Sequence, residues 1–494
     1  MNIPLWKNNQ TLVAERKPVS VLLGPGVQAQ AAYRQAMQAA VDIVIENSCI
    51  EKVHGGADVE ALRDMLSSMD VFPEMGTGVS KALVDIGVPA VRHALDVGNA
   101  NTMAHLHCPV ALPALAAEVL ISATNQSLDS WDQSPFATLV EERVLAWLTA
   151  FAGLPETASG SFTSGGSQSN MTALYLASEQ HSQAARRKGV IFTSAQAHFS
   201  IRKSAAVLGF SSEAVVTVAT DQEGRMSASA LRQAIDHAEA QGLFPLAVVA
   251  TAGTTDLGAI DPLNEIADLT LSRGLWLHVD AAYGGGLLFS RHRHLLLGIE
   301  RADSIALDFH KMLFQPISCG ALLLRDGVRF APLAMKADYL NPEVSVFGNV
   351  PNYVESSLQT TRRSDALKVL MTLRSIGRDG LDALICKTLE NAVAAAASVQ
   401  SRDYLQLAQQ PSLSTVLFRY VSKQGPKRSD DITLAVRAEL FRSGTAALAT
   451  TVHEGRVHFK LTLLNPNSTP DVIDRVLDAV ATMARELENE DVRP

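Results

Sequence analysis

Between about residue 135 and residue 325 the chain repeats one pattern, a short run of β-branched and other apolar residues followed by a polar, helix-forming stretch. The runs GVIFTS (189–194), AVVTVA (214–219), LAVVATA (246–252), LWLHVDA (275–281), SIALDF (304–309) and CGALLLR (319–325) read as strands. SQSNMTALYLASEQ and SASALRQAIDHAEAQ read as helices between them. Strands this uniformly apolar need cover on both faces, and helices in the connections supply it. The alternation predicts an α/β fold with a mostly parallel sheet wrapped by helices. In such sheets ligands bind beyond the carboxyl ends of the strands, so the residues just after each run are the place to look for chemistry.

On either side of this pattern the sequence changes character. Up to about residue 100, AYRQAMQAAVDIVIENS and DVEALRDMLSSM carry apolar residues at helical spacing, interrupted by VFPEMGTGVS. Such a helical arm has little core of its own and is expected to pack on another domain or another subunit. From about residue 365, SDALKVLMTLRSIG opens a long helical passage; TVLFRYV and GRVHFKLTLL then read as strands and TPDVIDRVLDAVATMARELE as a closing helix. The expected organisation is an N-terminal helical arm over 1–100, a large domain over 101–370 and a small C-terminal α+β domain over 371–494.

Composition narrows the function classes. A 47% apolar and 19% charged chain is an ordinary globular one, and a net charge of −9 argues against a nucleic-acid or anionic-membrane partner. Cys49, Cys108, Cys319 and Cys386 are scattered and form none of the close pairs that metal sites or disulfide frameworks need. The start, MNIPLWKNNQTL, lacks a charged-then-apolar signal pattern, and no apolar run reaches the roughly 18 residues of a spanning helix. A cytoplasmic location without a bound metal is the expectation.

The residues that follow the strands are less ordinary. After SFTS come Gly165 and Gly166 in GGSQSN, where bare backbone and a helix start can approach an anion. After GVIFTS comes His198 in AQAHFSIRKSA; after LWLHV comes Asp280, followed by Ala281, Ala282 and YGGG; after SIALDFH comes Lys311, between two apolar flanks. Taken singly, each has a bland explanation as a turn, a satisfied histidine, a helix cap or a lysine that snorkels to solvent. Taken together in chain order they match the needs of one ligand. Pyridoxal 5'-phosphate needs its phosphate held at a helix terminus, one ring face covered, its pyridine nitrogen kept protonated by a carboxylate and its aldehyde captured by an amine as a Schiff base. A lysine sheltered from water is a nucleophile of that kind.

The motifs FTSGGSQSN, AHFSIRKSA, VVATAGTTDLGAIDP, LHVDAAYGGG, DFHK and ADYLNPE resemble those of the pyridoxal-phosphate-dependent group II amino-acid decarboxylases, over about residues 95 to 385. The resemblance implies the fold-type I transferase architecture with a seven-stranded sheet, and a homodimer with its active site at the subunit interface. It implies Lys311 as the Schiff-base lysine, Asp280 as partner of the ring nitrogen, His198 stacked on the ring, Ala282 on the opposite face and Thr254 close by. It also places Gly166, Ser167 and His310 around the phosphate, and makes Tyr339, in a long loop without periodicity, the proton donor to the α-carbon. One departure stands out: Asp308 lies where aromatic decarboxylases have asparagine. An acid beside a phosphate is unfavourable, so either it points away or His310 is charged.

For the substrate, the resemblance makes His105, with His107 as a companion, a contact for the carboxylate and sets Arg363 near the site. It places Asp129 where aromatic decarboxylases present a phenylalanine from the partner subunit, and a carboxylate there favours an ammonium group. HKMLFQPISCGALLLRD and SLQTTRRSDALKVLMTLR are most similar to bacterial diaminobutyrate decarboxylases and to the siderophore-pathway lysine and ornithine enzymes. A basic diamino acid, 2,4-diaminobutyrate first and lysine or ornithine next, is the expected substrate. The rival readings are a fold-type I aminotransferase or desulfurase, which shares the aspartate and lysine, and a cofactor-binding regulatory homologue without turnover.

Overall fold

The computed structural model describes residues 21–48, 51–335, 337 and 350–490, which excludes Tyr339. Two compact units divide at Leu95 and Asp96, with Glu51–Val53 belonging to the second. In the first unit the helix Val27–Asn47 packs on the helical run from Val79 to Arg92, and Ala29 is its one buried residue. The helix Val59–Ser67 starts at Asp58, whose side chain accepts from the Ala61 N–H.

The strands of the second unit are β1 (Thr102–Met103), β2 (Ser159–Thr163), β3 (Gly189–Ser194), β4 (Val215–Val218), β5 (Phe244–Thr251), β6 (Trp276–Ala281), β7 (Ser304–Asp308), β8 (Gly320–Leu324), β9 (Leu405–Leu407), β10 (Thr415–Tyr420), β11 (Ala447–His453) and β12 (Arg456–Thr462). Seven of them form one sheet in the order β2-β8-β7-β6-β5-β3-β4. β8 pairs antiparallel with both its neighbours, and the other pairings are parallel. All but β2 are the strands read from the sequence, displaced at their ends by a residue or two. β5 and β8 have two apolar faces, as strands covered by helices on both sides must. Along β5, Val248 and Ala250 enter one core while Ala247 and Val249 enter the other; in β8, Ala321 and Leu323 alternate in the same way with Leu322 and Leu324.

A second, five-stranded sheet runs β1-β11-β12-β10-β9. Its face is closed by the helices Ala366–Gln400, Pro426–Arg442 and Pro470–Glu490 around Val416, Phe418, Phe459 and Leu461. The long helix is interrupted at Gly377, whose φ of 71° and ψ of 179° are not helical. β11 is absent from the sequence reading because its alanine-rich start, ALATTVH, carries little strand signal. β1 enters as the parallel partner of β11, Thr102 beside Ala447, a pairing between segments far apart in the chain.

Candidate active site

The carboxyl ends of β2, β3, β5, β6 and β7 open onto one cavity of about 270 Å³. Gly165, Gly166 and Ser167 form its floor after β2; His198 comes from the loop after β3, Thr251, Gly253 and Thr255 from the end of β5, and Asp280, Ala282 and Tyr283 from β6 and its sequel. Asp308, His310 and Lys311 follow from β7.

Gly165 precedes the helix Gly166–Glu179 at φ +138°, a left-handed conformation that a side chain disfavours. It also leaves no room for one: a Cβ there would lie 2.8 Å from His310 Cε1, and a Cβ on Gly166 would lie 2.8 Å from the Ala282 Cβ. No side chain caps this helix, so its first amides and the positive end of its dipole are available to an anion in the cavity. His310 is clamped over the turn, with Nδ1 3.1 Å from the Cys319 amide nitrogen and 2.8 Å from the Cys319 carbonyl oxygen.

Asp280 is the last residue but one of β6, opposite Thr251 of β5, and is buried. Its Oδ1 accepts from the Ala282 N–H at 3.1 Å and its Oδ2 from Asn170 Nδ2 at 2.8 Å. Asn170 also donates to Ser200 Oγ at 3.0 Å, and Ser200 Oγ lies 2.8 Å from His198 Nδ1. Behind Asn170 its Oδ1 meets His278 Nε2 at 2.9 Å; His278 Nδ1 meets Ser304 Oγ at 2.8 Å, and Ser304 accepts from Trp276 Nε1 at 2.8 Å. Complete burial pushes the His278 imidazole down to about 4, so it is neutral and donates through Nε2. Burial likewise lowers the pKa of His198, against the opposing pull of Asp280. A neutral His198 accepts from Ser200 through Nδ1. One connected set of dipoles thus fixes both the carboxylate and the imidazole.

Lys311 is not the unpaired ammonium that its flanks alone describe. Its Nζ lies 3.0 Å from Asp308 Oδ2, and His310 Nε2 lies 3.6 Å from the same oxygen. Asp308 therefore points toward the cavity rather than away.

The structure brings together Lys311, His198, Asp280, Gly165, Gly166, Ser167, Ala282 and His310 as the sequence reading grouped them. The remaining described positions lie outside the lining of this cavity. Thr254 is fully buried behind the cavity wall, where its hydroxyl accepts from the Ala259 N–H at 3.0 Å; Gly253 and Thr255 line the space instead. His105 is exposed at φ 64°, its pKa lowered by burial of part of the ring and by Lys460 and Arg437. His107 is half-buried, its pKa lowered by burial and by His105 and His310. Arg363 is turned to Glu118, which also accepts from Lys368 Nζ at 2.9 Å, so its guanidinium is engaged outside the cavity. Asp129 is buried with its Oδ1 lacking a hydrogen-bond partner, in a segment pinned by Arg362, whose guanidinium grips Glu141 at 2.8 and 2.6 Å. The reading missed Asn170, Ser200, His278 and Thr251. His278 was detectable: it precedes Asp280 by two residues and so shares its face of β6.

Residues 85–421 match the family model described as the pyridoxal-dependent decarboxylase conserved domain. The chain belongs to this family. L-2,4-diaminobutyrate decarboxylase of Rhizobium meliloti (strain 1021) is 64% identical over 96% of both chains, and the Acinetobacter baumannii protein of the same name is 37% identical over 95% of this chain and 96% of that one. Among solved structures, the glutamate decarboxylase domain of diaminobutyrate-pyruvate transaminase and L-2,4-diaminobutyrate decarboxylase from Vibrio parahaemolyticus superposes with a TM-score of 0.85. It is 35% identical, and the match covers 94% of this chain and 98% of that one.

As a pyridoxal-dependent decarboxylase the chain takes pyridoxal 5'-phosphate and has the fold-type I architecture. The cavity fits that cofactor on its own chemistry. An uncapped helix start faces an opening, the glycine turn excludes any Cβ, an amine and a carboxylate stand in the same space, and the buried Thr251 Oγ1 on its wall lacks a partner. Membership excludes the regulatory homologue as the simplest reading and sets decarboxylation above amino transfer. Among the described residues no helix is long and apolar enough to cross a membrane.

Proposed function

We propose that this enzyme removes the α-carboxyl group of L-2,4-diaminobutyrate, releasing CO2 and 1,3-diaminopropane. The observation that carries the substrate is the 64% identity, along nearly the whole chain, to a relative named for that reaction.

When bound, the cofactor supplies an aldehyde for covalent capture and a protonated ring that accepts the electron pair left by CO2. The amides of Gly166 and Ser167 would hold the phosphate, and Lys311 Nζ would be the covalent tether. Asp280, oriented by Asn170 and the Ala282 N–H, would keep a proton on the ring nitrogen, because a fixed buried carboxylate stabilises a cation beside it. His198 and Ala282 would flank the ring, and Ala282, with nothing beyond Cβ, leaves room for a flat group. Tyr339, outside the described residues, is the proposed donor to the α-carbon. Tyr339→Phe is then expected to release CO2 while diverting product from the amine, and a normal amine yield contradicts the assignment.

Substrate choice rests on Asp129, contributed across a dimer interface, with His105 meeting the substrate's carboxylate. The partnerless Asp129 oxygen supports this, since a buried carboxylate with an unmet acceptor is suited to an ammonium group. The dimer is supported by Met37, Val41, Val44 and Ile45, an exposed apolar stripe at helical spacing along the helix Val27–Asn47. A panel assay of CO2 and amine from diaminobutyrate, ornithine, lysine, glutamate and aromatic amino acids tests the reading. Diaminobutyrate should show the highest kcat/KM, and dominant turnover of an aromatic substrate overturns it.

A further inference from the structure

Asp308 is a carboxylate of the cavity that the reaction above does not use. It is the last residue of β7, buried, and it stands between the reactive amine and the anion cradle. On one side its Oδ2 holds Lys311 Nζ at 3.0 Å. On the other, a Cβ on Gly165 would lie 3.4 Å from Oδ1, one on Gly166 3.4 Å from Oδ2, and one on Gly320 2.7 Å from Oδ1. Oδ1 itself is buried without a partner. The Asp308–Lys311 pair is thus a dipole whose negative end lies under the glycine turn. The other titratable groups around it are His310, His198, Asp280 and the buried Cys319.

A lysine ammonium cannot attack an aldehyde; only the neutral amine can. In its 3.0 Å contact with Asp308 Oδ2, Lys311 Nζ is engaged as the donor of an ion pair, which is not the attacking form. An anion arriving at the cradle is nearer the carboxylate than the ammonium and disfavours the charged pair relative to the neutral one. We infer that an anion seated on the Gly165–Gly166 turn drives the Lys311 ammonium proton onto Asp308, so that cradle occupancy arms the lysine. In this transfer an Nζ–H bond breaks, an Oδ2–H bond forms and the electron pair stays on nitrogen. The carboxyl becomes neutral as the anion settles above it. Asp308 is a positioning residue here, and the inference rests on Lys311 being the imine-forming lysine.

The test separates phosphate from aldehyde. Cofactor-free protein is mixed with pyridoxal, which lacks the phosphate, at increasing inorganic phosphate, and imine formation is followed by absorbance. Borohydride reduction and peptide mapping then locate the tag. In the wild type, phosphate is expected to raise the rate of Lys311 capture by a factor of ten or more. Asp308→Asn is expected to capture pyridoxal at a rate that phosphate leaves unchanged, with its fold checked by circular dichroism. A wild-type rate independent of phosphate overturns the inference while leaving Lys311 as the tether, and this arm does not depend on the variant folding. Full phosphate acceleration in Asp308→Asn also overturns it. A tag on a different residue overturns both this inference and the site assignment beneath it.

Discussion

Asn170 Nδ2 lies 2.8 Å from Asp280 Oδ2, and no other side chain donates to that carboxylate among the described residues. The asparagine sits one helical turn after Gly166, so one helix offers its start to an anion and its inner face to the acid. Asn170→Ala strips this donor and leaves a buried acceptor. A hydrogen bond to a charged group contributes about 1.5–3 kcal/mol, so kcat is expected to fall roughly 10- to 100-fold. Cofactor affinity, followed by absorbance titration, is expected to fall with it. Asp280→Asn removes the charge itself and is expected to cost about 3–5 kcal/mol, or some 100- to 1,000-fold and more in kcat. Unchanged kcat in either variant contradicts the role given to Asp280.

Asp129 offers a test in which binding and chemistry separate. Asp129→Asn removes the negative charge of a buried side chain with little change in volume. If the acid meets the substrate's side-chain ammonium, KM for diaminobutyrate is expected to rise about 10- to 100-fold, with a smaller change in kcat. Relative turnover of apolar amino acids should increase. A fall in kcat with KM unmoved assigns Asp129 to structure instead.

The arm makes a prediction about assembly. Met37, Val41, Val44 and Ile45 are exposed in the isolated chain. Val44→Glu together with Ile45→Lys is expected to shift sedimentation velocity from dimer toward monomer and to lower specific activity at nanomolar protein. Retention of the dimer places the contact elsewhere.

Stability should fall on mild acidification through His278. Its folded value of about 4 lies below the ordinary 6.5, so between those values the unfolded chain binds a proton that the folded one refuses. Stability from this group is complete above pH 6.5 and declines as pH falls toward 4, by an amount on the order of 2–3 kcal/mol. Asp261, whose carboxyl is pushed up to about 6 by burial, acts in the opposite sense over part of the window. The measurement is therefore the difference in urea-unfolding free energy between wild type and His278→Gln at several pH values. That difference is expected to shrink from pH 7 to pH 4.5, and a constant difference rejects the neutral His278.

Much of the large sheet was legible because its strands are short, apolar and separated by amphipathic helices, a signal that local periodicity carries. Asp280 and Lys311 were legible for the complementary reason, polar groups at the ends of apolar runs. β1 was not, since two residues have no period and the pairing of Thr102 with Ala447 spans most of the chain. The contact of Arg363 was not legible either: its place in TTRRSDALK says nothing of Glu118, the acid it meets.

The chain order of glycine turn, histidine, aspartate and lysine was set by the sequence alone, because strand–helix alternation puts each at the same edge of a parallel sheet. What the tertiary structure decided is which groups touch. Asn170 reaches Asp280 only because a helix crosses the sheet at that strand, and Asp308 meets Lys311 because the chain turns back on itself after β7. Hydrogen bonds and ion pairs act over about 3 Å, a distance that packing fixes and residue order does not.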